Sequence, residues 1–338
     1  MAQHQITIKD IAKMLGISAS TVSRALKDHP DISPKTKRMV QAFASKVNYR
    51  PNALALNLRR SKTNTIGVII PELVHHFFSS VISGIEKVAY AAGYNVMICQ
   101  SNEDYNREVI DAQALLDNRV DGILMSLSKT TLQFDHIQNL IDHGVPVVFF
   151  DRAPEEIDAD KVFIDDFMGA KIATHHLIAT GCRNILHLSA PTHLLIGQRR
   201  RDGYIKALEE NGIPYNPDFV IKCDTRDDVF ANAGKILQMA NQIDGIFAVN
   251  DSTAIAAMQV LMKNDIRIPE HISVIGFGDG PNATIAYPPL STVEQKGTEI
   301  GKEAIQLLLN QIENKDESYN TTTKIITPVL RIRESTMM

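Results

Sequence analysis

The chain reads as a small all-helical head followed by a larger α/β body of two lobes. Three observations predict this. Thr7 to Leu26 carries the end signals of two short helices around a single glycine. From Thr65 onward, apolar strand-like runs alternate with helix-like stretches. That alternation is met twice along the body, which implies two parallel sheets with right-handed crossovers.

In the head, Thr7 is placed to cap a helix, and Asp10 three residues later completes a capping box. Ile6 and Ile11 flank that cap at staple spacing, and Ile11, Ala12 and Leu15 share one face. Gly16 supplies the stop, because a left-handed residue costs little there. Ser18 caps a second helix, Ile17 and Val22 staple it, and Val22 and Leu26 point inward. Ala19, Ser20, Ser23 and Arg24 are left facing outward. Two capped helices joined by a tight glycine turn are the sequence form of a helix-turn-helix. Its small, polar outer face suits a DNA major groove about 12 Å wide, where an arginine can reach guanine O6 and N7. The helix pattern alone is equally compatible with a plain helical hairpin in a larger helical domain. A third helix is predicted over Asp31 to Val47, with Ser33 as cap, Pro34 in the first turn, and Val40, Phe43 and Val47 as its buried stripe.

Charge favours the DNA reading. Net charge is only −4, from 35 Lys+Arg and 39 Asp+Glu. Residues 1–62, however, hold 12 basic and 3 acidic side chains, and the rest hold 23 and 36. A basic head on an acidic body is the asymmetry expected when one part meets phosphate and the other does not. The connector that follows has Pro51, a possible cap at Asn52, and a short helical stretch from Ala53 to Arg60. Nucleation cost makes so short a helix unstable alone. Leu54 and Leu58 share a side of it with no obvious core to enter.

The segments IKDIAKMLGISASTVSRAL, NYRPNALALNLR and TIGVIIP, in this order and spacing, resemble the opening of a LacI-type (lactose repressor family) transcription regulator. The resemblance runs through the whole chain. It implies a helix-turn-helix head at 1–47, a hinge helix or linker at 48–62, and a two-lobed periplasmic-binding-protein-like α/β domain at 63–338. The implied crossings between lobes fall near Phe163, Ser291 and Thr321 to Thr323. Lobe 1 is then about 63–162 and 292–321, and lobe 2 about 163–291 and 322–338, with KIITPVLRIRES returning to lobe 2.

On double-stranded DNA, the resemblance puts Ala19, Ser20 and Arg24 on base edges in the major groove. Thr21 and Ser23 would take phosphates, which position the head without reading sequence. Leu58, with Arg59 beside it, would enter the minor groove and kink a pseudopalindromic operator. The chain stops at Met338 without a leucine heptad, so a homodimer is expected rather than a tetramer.

Effector-binding candidates lie where strands end, since ligands of such sheets bind beyond the carboxyl ends. They are His76 and Phe77 after the first body strand, Asp151 and Arg152 in FFDR, and Asp251 in VNDSTA. Arg200 follows from GQRRRDGYIKAL, which resembles the family's effector-binding arginine segment, and Asp279 from IGFGDGPNA. Polar groups of this kind pair with sugar hydroxyls or nucleobase edges, and an aromatic ring can stack. Ordinary roles compete: Asp251 as a helix cap, Arg152 as a partner of Glu155, and the histidines as solvated groups. The sequence also departs from the family. An acid commonly follows the Gly-aromatic pair directly, where this chain has Gly278, with Asp279 one place later. Cys182 stands where a histidine commonly follows glycine.

Other classes find less support. Three scattered cysteines, Cys99, Cys182 and Cys223, fit no metal spacing and suggest a reducing compartment. No amino-terminal signal and no apolar run of bilayer length is visible, so a cytoplasmic protein with no membrane partner is expected. A nicotinamide-dependent oxidoreductase would want G-x-G-x-x-G after an early strand. The nearest match, from Gly276, comes late and has Pro281 at the third glycine position. No catalytic residue, cofactor or metal is expected; the expected partners are operator DNA, a small-molecule effector (a sugar or sugar derivative) and a second copy of the chain.

Overall fold

A computed structural model describes residues 6–47, 49, 62–191, 194–314 and 319–336. Two compact units divide the chain, residues 1–63 and 64–338.

The head contains α1 (Ile8–Leu15), α2 (Ala19–Leu26) and α3 (Pro34–Lys46). Thr7 and Asp10 form the capping box, and Gly16 ends α1 at φ 64°. Ser18 caps α2 by accepting from the Thr21 N–H, and Ser33 caps α3 with Pro34 in its first turn. Ile11, Ala12, Val22, Ala25, Val40 and Ala44 make the core, with Leu15, Leu26 and Phe43 packed half-buried at its edge. The third helix begins three residues later than the sequence suggests, because the backbone ahead of the Ser33 cap is not helical.

The body begins with β1 (Thr65–Ile70), α4 (His76–Ala91), β2 (Asn95–Gln100), α5 (Tyr105–Asp117) and β3 (Gly122–Met125). Next come α6 (Asp135–Asp142), β4 (Val147–Phe150), β5 (Asp160–Ile164), α7 (Asp166–Ala179), β6 (Ile185–Ser189) and α8 (Leu195–Glu210). The chain continues with β7 (Val220–Lys222), α9 (Arg226–Ala231), α10 (Ala233–Met239), β8 (Gly245–Ala248) and α11 (Asp251–Met262). Then follow β9 (Ser273–Gly278), α12 (Pro281–Ile285), β10 (Ser291–Glu294), α13 (Gly297–Glu313), β11 (Thr323–Ile326) and β12 (Val329–Arg331).

One sheet has the order β11-β5-β4-β3-β1-β2, the other β12-β10-β9-β8-β6-β7. The second repeats the arrangement of the first. Central strands such as β1, β3 and β4 are buried on nearly every residue, as expected for parallel strands covered by helices on both faces.

The crossings fall a few residues later than the sequence reading places them. β5 contains Phe163, near which the first crossing is expected, and it pairs with β4 in the first sheet. β10 pairs with β9, so the chain leaves the second sheet after Glu294 rather than at Ser291. KIITPVLRIRES is two strands: β11 joins the first sheet beside β5, and only β12 lies in the second, antiparallel to β10. Pro328 stands between them and has no N–H to donate to a ladder. The 17-residue α13 follows β10 and packs on the first lobe against α4.

Small residues set that packing. A Cβ at Gly84 of α4 would overlap the Thr298 carbonyl, and one at Gly301 of α13 would overlap the Val81 carbonyl. These obstacles are backbone, so they cannot swing aside. Gly301→Ala is expected to cost about 1–3 kcal/mol by overpacking. The check is the urea midpoint, which should fall with an unchanged slope.

Candidate functional site

In the head, Ser20 and Arg24 are exposed, while Ala19, Thr21 and Ser23 are half-buried. The α2 cap organises this end. Ser18 Oγ lies 2.7 Å from Ser20 Oγ and 2.8 Å from Thr21 Oγ1, while accepting from the Thr21 N–H. The Ser20 and Thr21 hydroxyls are thus held at the amino-terminal turn of α2, with Arg24 one turn along. Leu58 and Arg59 lie outside the described residues.

In the body, a cavity of about 330 Å³ opens between the lobes. Leu127, Ser128, Phe134, Asp151 and Arg152 line it from the first lobe, and Asp166, Gln198 and Arg199 from the second. Its position follows from the topology: β3 and β4 end just before Leu127 and Asp151, and β6 ends just before the segment leading to α8.

Asp151 has φ 62° and is 8 % exposed. Among the described residues the donors nearest its carboxylate are Ser126 Oγ at 3.5 Å and Arg152 Nε at 3.7 Å. Burial pushes its pKa up to about 6; Arg152 and Arg200 oppose the rise, while Asp166 and Glu103 add to it. Arg152 does not pair with Glu155. Its Nη1 donates to both Glu103 oxygens, at 3.0 and 2.8 Å, and to the Leu127 carbonyl at 3.1 Å, while its buried Nε has no hydrogen-bond partner among the described residues.

Arg200 is 4 % exposed and lies behind Asp166. Nε and Nη2 reach Asp166 Oδ1 at 2.8 and 2.7 Å, Nη1 donates to the Val249 carbonyl at 2.6 Å, and the guanidinium sits 3.7 Å over the Phe277 ring. Three of its five N–H donors are therefore engaged by protein, and Arg200 holds Asp166 in place from behind the residues that line the cavity. Burial still raises the Asp166 pKa against the Arg200 charge.

The remaining sequence candidates do not line this cavity. His76 is exposed and packs beside Gly280 of the other lobe, and Phe77 meets Phe78 edge to face at 5.2 Å. Asp251 is buried, accepting from Thr292 Oγ1 at 2.5 Å and the Gly280 N–H at 3.2 Å, while Asn250 is the cap of α11. A Cβ at Gly276 would come within 2.5 Å of Asp251 Oδ1, so that glycine makes room for the carboxylate. Asp279 pairs with Arg333 at 2.6 Å.

Asp166, Glu103 and Gln198 were not picked out from the sequence. Asp166 directly follows Asp165, which is the cap of α7, and nothing local separates the two roles. The lobes are further tied by Lys129 and Asp224, 2.7 Å apart, and Lys129 also faces Glu103 at 4.0 Å. Among the described residues no group of three or more His, Cys, Asp or Glu is placed to hold a metal ion.

A compact helix-turn-helix head and a cleft between two similarly wound lobes define a DNA-binding regulator with a ligand-binding body. The comparisons agree. Residues 7–52 match bacterial regulatory proteins of the lacI family, and residues 63–332 match periplasmic binding proteins and the sugar binding domain of the LacI family. The chain belongs to the lacI family of bacterial transcription regulators. It is 33 % identical over 316 residues to the HTH-type transcriptional repressor PurR of Vibrio parahaemolyticus, covering 92 % of this chain and 93 % of that one. It is 31 % identical over 331 residues to the ribose operon repressor of Haemophilus influenzae, covering 97 % and 98 %. A transcriptional regulator CelR–cellobiose complex superposes with TM-score 0.74 at 27 % identity, covering 98 % and 99 %. The lac repressor dimer bound to operator and the anti-inducer ONPF superposes with TM-score 0.83 at 23 % identity, covering 99 % and 100 %, a likeness of fold.

Proposed function

We propose that this protein is a cytoplasmic homodimeric repressor that grips a pseudopalindromic operator and is switched by a small effector in the cleft between its lobes. It carries no catalytic activity of its own. The observation that carries this reading is a capped recognition helix on a basic head, joined to a body whose two lobes share one cavity. The relatives named above are repressors, one of a ribose operon. No helix among the described residues is long and apolar enough to cross a membrane. For the dimer, the edge strand β2 exposes Met97 and Ile98, and its flanking helices expose Tyr90 and Ile110. An uncovered apolar sheet edge of this kind is a natural pairing surface.

In this reading Ala19, Ser20 and Arg24 meet base edges, and Thr21 and Ser23 meet phosphates. Leu58 and Arg59 supply the hinge contact in the minor groove. Effector binding alters closure of the lobes and so the spacing of the two heads. A ligand can shift that equilibrium only by its differential affinity for the closed and open forms.

Arg24→Ala is the test of the DNA reading. On genomic fragments selected by the wild-type protein, the substitution should cost about 1–3 kcal/mol and relax preference at one position per half-site. Equal weakening on every sequence would reassign Arg24 to phosphate. Wild-type protein with no preference for any genomic fragment over random duplex would overturn the function itself.

A further inference from the structure

We infer that Asp121 is a positioning residue for DNA binding: its carboxylate clamps the residue at which the chain from the head enters the body, and so restricts how the paired heads are held. This inference rests on reading the protein as a homodimer whose heads grip a two-part operator.

The body begins at Asn64. The Asn64 N–H donates to Asp121 Oδ2 at 2.8 Å, and the Asn64 carbonyl accepts from the Asn95 N–H at 2.8 Å. Asp121 also donates its own N–H to the Thr65 carbonyl at 2.8 Å. Both backbone polar groups of Asn64 are thus held, one from the residue ahead of β3 and one from the start of β2. Asn64 has φ 50°, a left-handed backbone that asparagine tolerates better than most side chains. The chain therefore turns at the clamped residue, directly before β1. The clamp has a rigid base, since β3 behind Asp121 is buried on every residue. A bond to a carboxylate is also stronger than one between neutral groups.

The second lobe holds the same device under a different load. Asp244 stands before Gly245 of β8 as Asp121 stands before Gly122 of β3. The registers agree: Gly122 lies opposite Ile66 of β1, and Gly245 opposite Ile185 of β6. Asp244 accepts from the Arg183 and Asn184 N–H groups, both at 2.8 Å, and donates its own N–H to the Asn184 carbonyl at 3.0 Å. Arg183 precedes Ile185 by the same step as Asn64 precedes Ile66. In the second lobe, however, the clamped residue lies in the connection from α7 to β6, which is anchored in that lobe at both ends. In the first lobe it is the residue with the head on its other side, and of the two only Asn64 is left-handed. A staple that merely completes the fold matters equally in both lobes. A staple that restrains the heads matters only at Asp121.

The consequence is a matter of effective concentration. Once one head is on its half-site, the second binds intramolecularly, at a concentration set by the reach and stiffness of the connection. Loosening the point of entry lowers that concentration and leaves each head's own contacts alone.

The test uses the full chain and two duplexes: a genomic fragment selected by the wild-type protein, and the same fragment with one half-site scrambled. Asp121→Ala should bind the intact site about fivefold or more weakly, with little change on the scrambled one. Asp121→Asn keeps an acceptor without the charge and should lose about twofold on the intact site. Asp244→Ala should bind both duplexes as wild type does. If Asp121→Ala fails to melt cooperatively, Asp121→Asn decides, and no loss from it would overturn the clamp. Equal weakening on both duplexes, or an equal loss from Asp244→Ala, would also overturn it and leave the operator reading standing. Wild-type protein that prefers no fragment, or gains nothing from the second half-site, would overturn the operator reading and the clamp together.

Discussion

Replacing Arg200 with Ala is expected to destabilise the second lobe by about 3–5 kcal/mol, the usual effect of removing one partner of a buried ion pair. The substitution strands two groups. Asp166 loses the cation bound to its Oδ1, and the Val249 carbonyl loses the Nη1 donor. The stacking of the guanidinium on Phe277 goes too, which adds up to about 2 kcal/mol where the cation is desolvated. The family resemblance reads Arg200 as an effector contact, and on that reading its loss would remove the response and leave the protein sound. The geometry predicts otherwise: response and stability should fall together, because Asp166 loses its anchor.

Urea unfolding of the full chain separates the two. Arg200→Met combined with Asp166→Asn removes both charges and should recover much of the loss, since no unpaired charge is then buried. Lowering the pH should also rescue the single Arg200→Ala variant, as Asp166, whose pKa burial already raises, takes up a proton. A single variant as stable as wild type, but silent to effector, would return Arg200 to direct ligand contact.

How much the sequence disclosed depends on how local each signal is. The Thr7–Asp10 box, the Gly16 stop and the Ser18 and Ser33 caps are contacts within a few residues, and each is found where expected. The alternation of strands and helices was likewise legible, because periodicity is local. The partition of strands between sheets was not. KVFID and KII read like any other buried strand, and only their partners β4 and β5 place them in the first lobe. The same limit holds for the cavity. Asp151 and Arg152 follow a strand and were visible for that reason, yet the partner of Arg152 is Glu103, 49 residues away, not nearby Glu155. Asp251 and Asp279 also follow strands, but Thr292 and Arg333 already engage them, which no spacing rule anticipates.

Asp151→Asn is expected to stabilise the protein at neutral pH, an unusual direction for a buried residue. The native pKa of Asp151 is pushed up to about 6 from 3.8, so the folded state holds its proton more tightly than the unfolded chain. Stability therefore falls as pH rises between those values, and the cost is complete above about pH 6. A shift of that size corresponds to about 3 kcal/mol at most, at roughly 1.4 kcal/mol per unit. Asparagine carries no charge, so it escapes the cost at pH 7.5 and gains little near pH 4, where the folded wild-type carboxyl is protonated and the unfolded one is about half protonated. A urea-denaturation series over pH 4–8 should show the two proteins converging at the acid end and separating toward neutrality. A variant less stable than wild type at pH 7.5, or a difference that ignores pH, would show that Asp151 is already satisfied within the protein. The left-handed backbone at φ 62° and the sparse donors argue the reverse. A site that keeps a carboxylate under such conditions sacrifices stability for what the carboxylate can bind. A ligand that donates to Asp151 draws its pKa back down, so binding below pH 6 releases a proton and tightens as the pH rises.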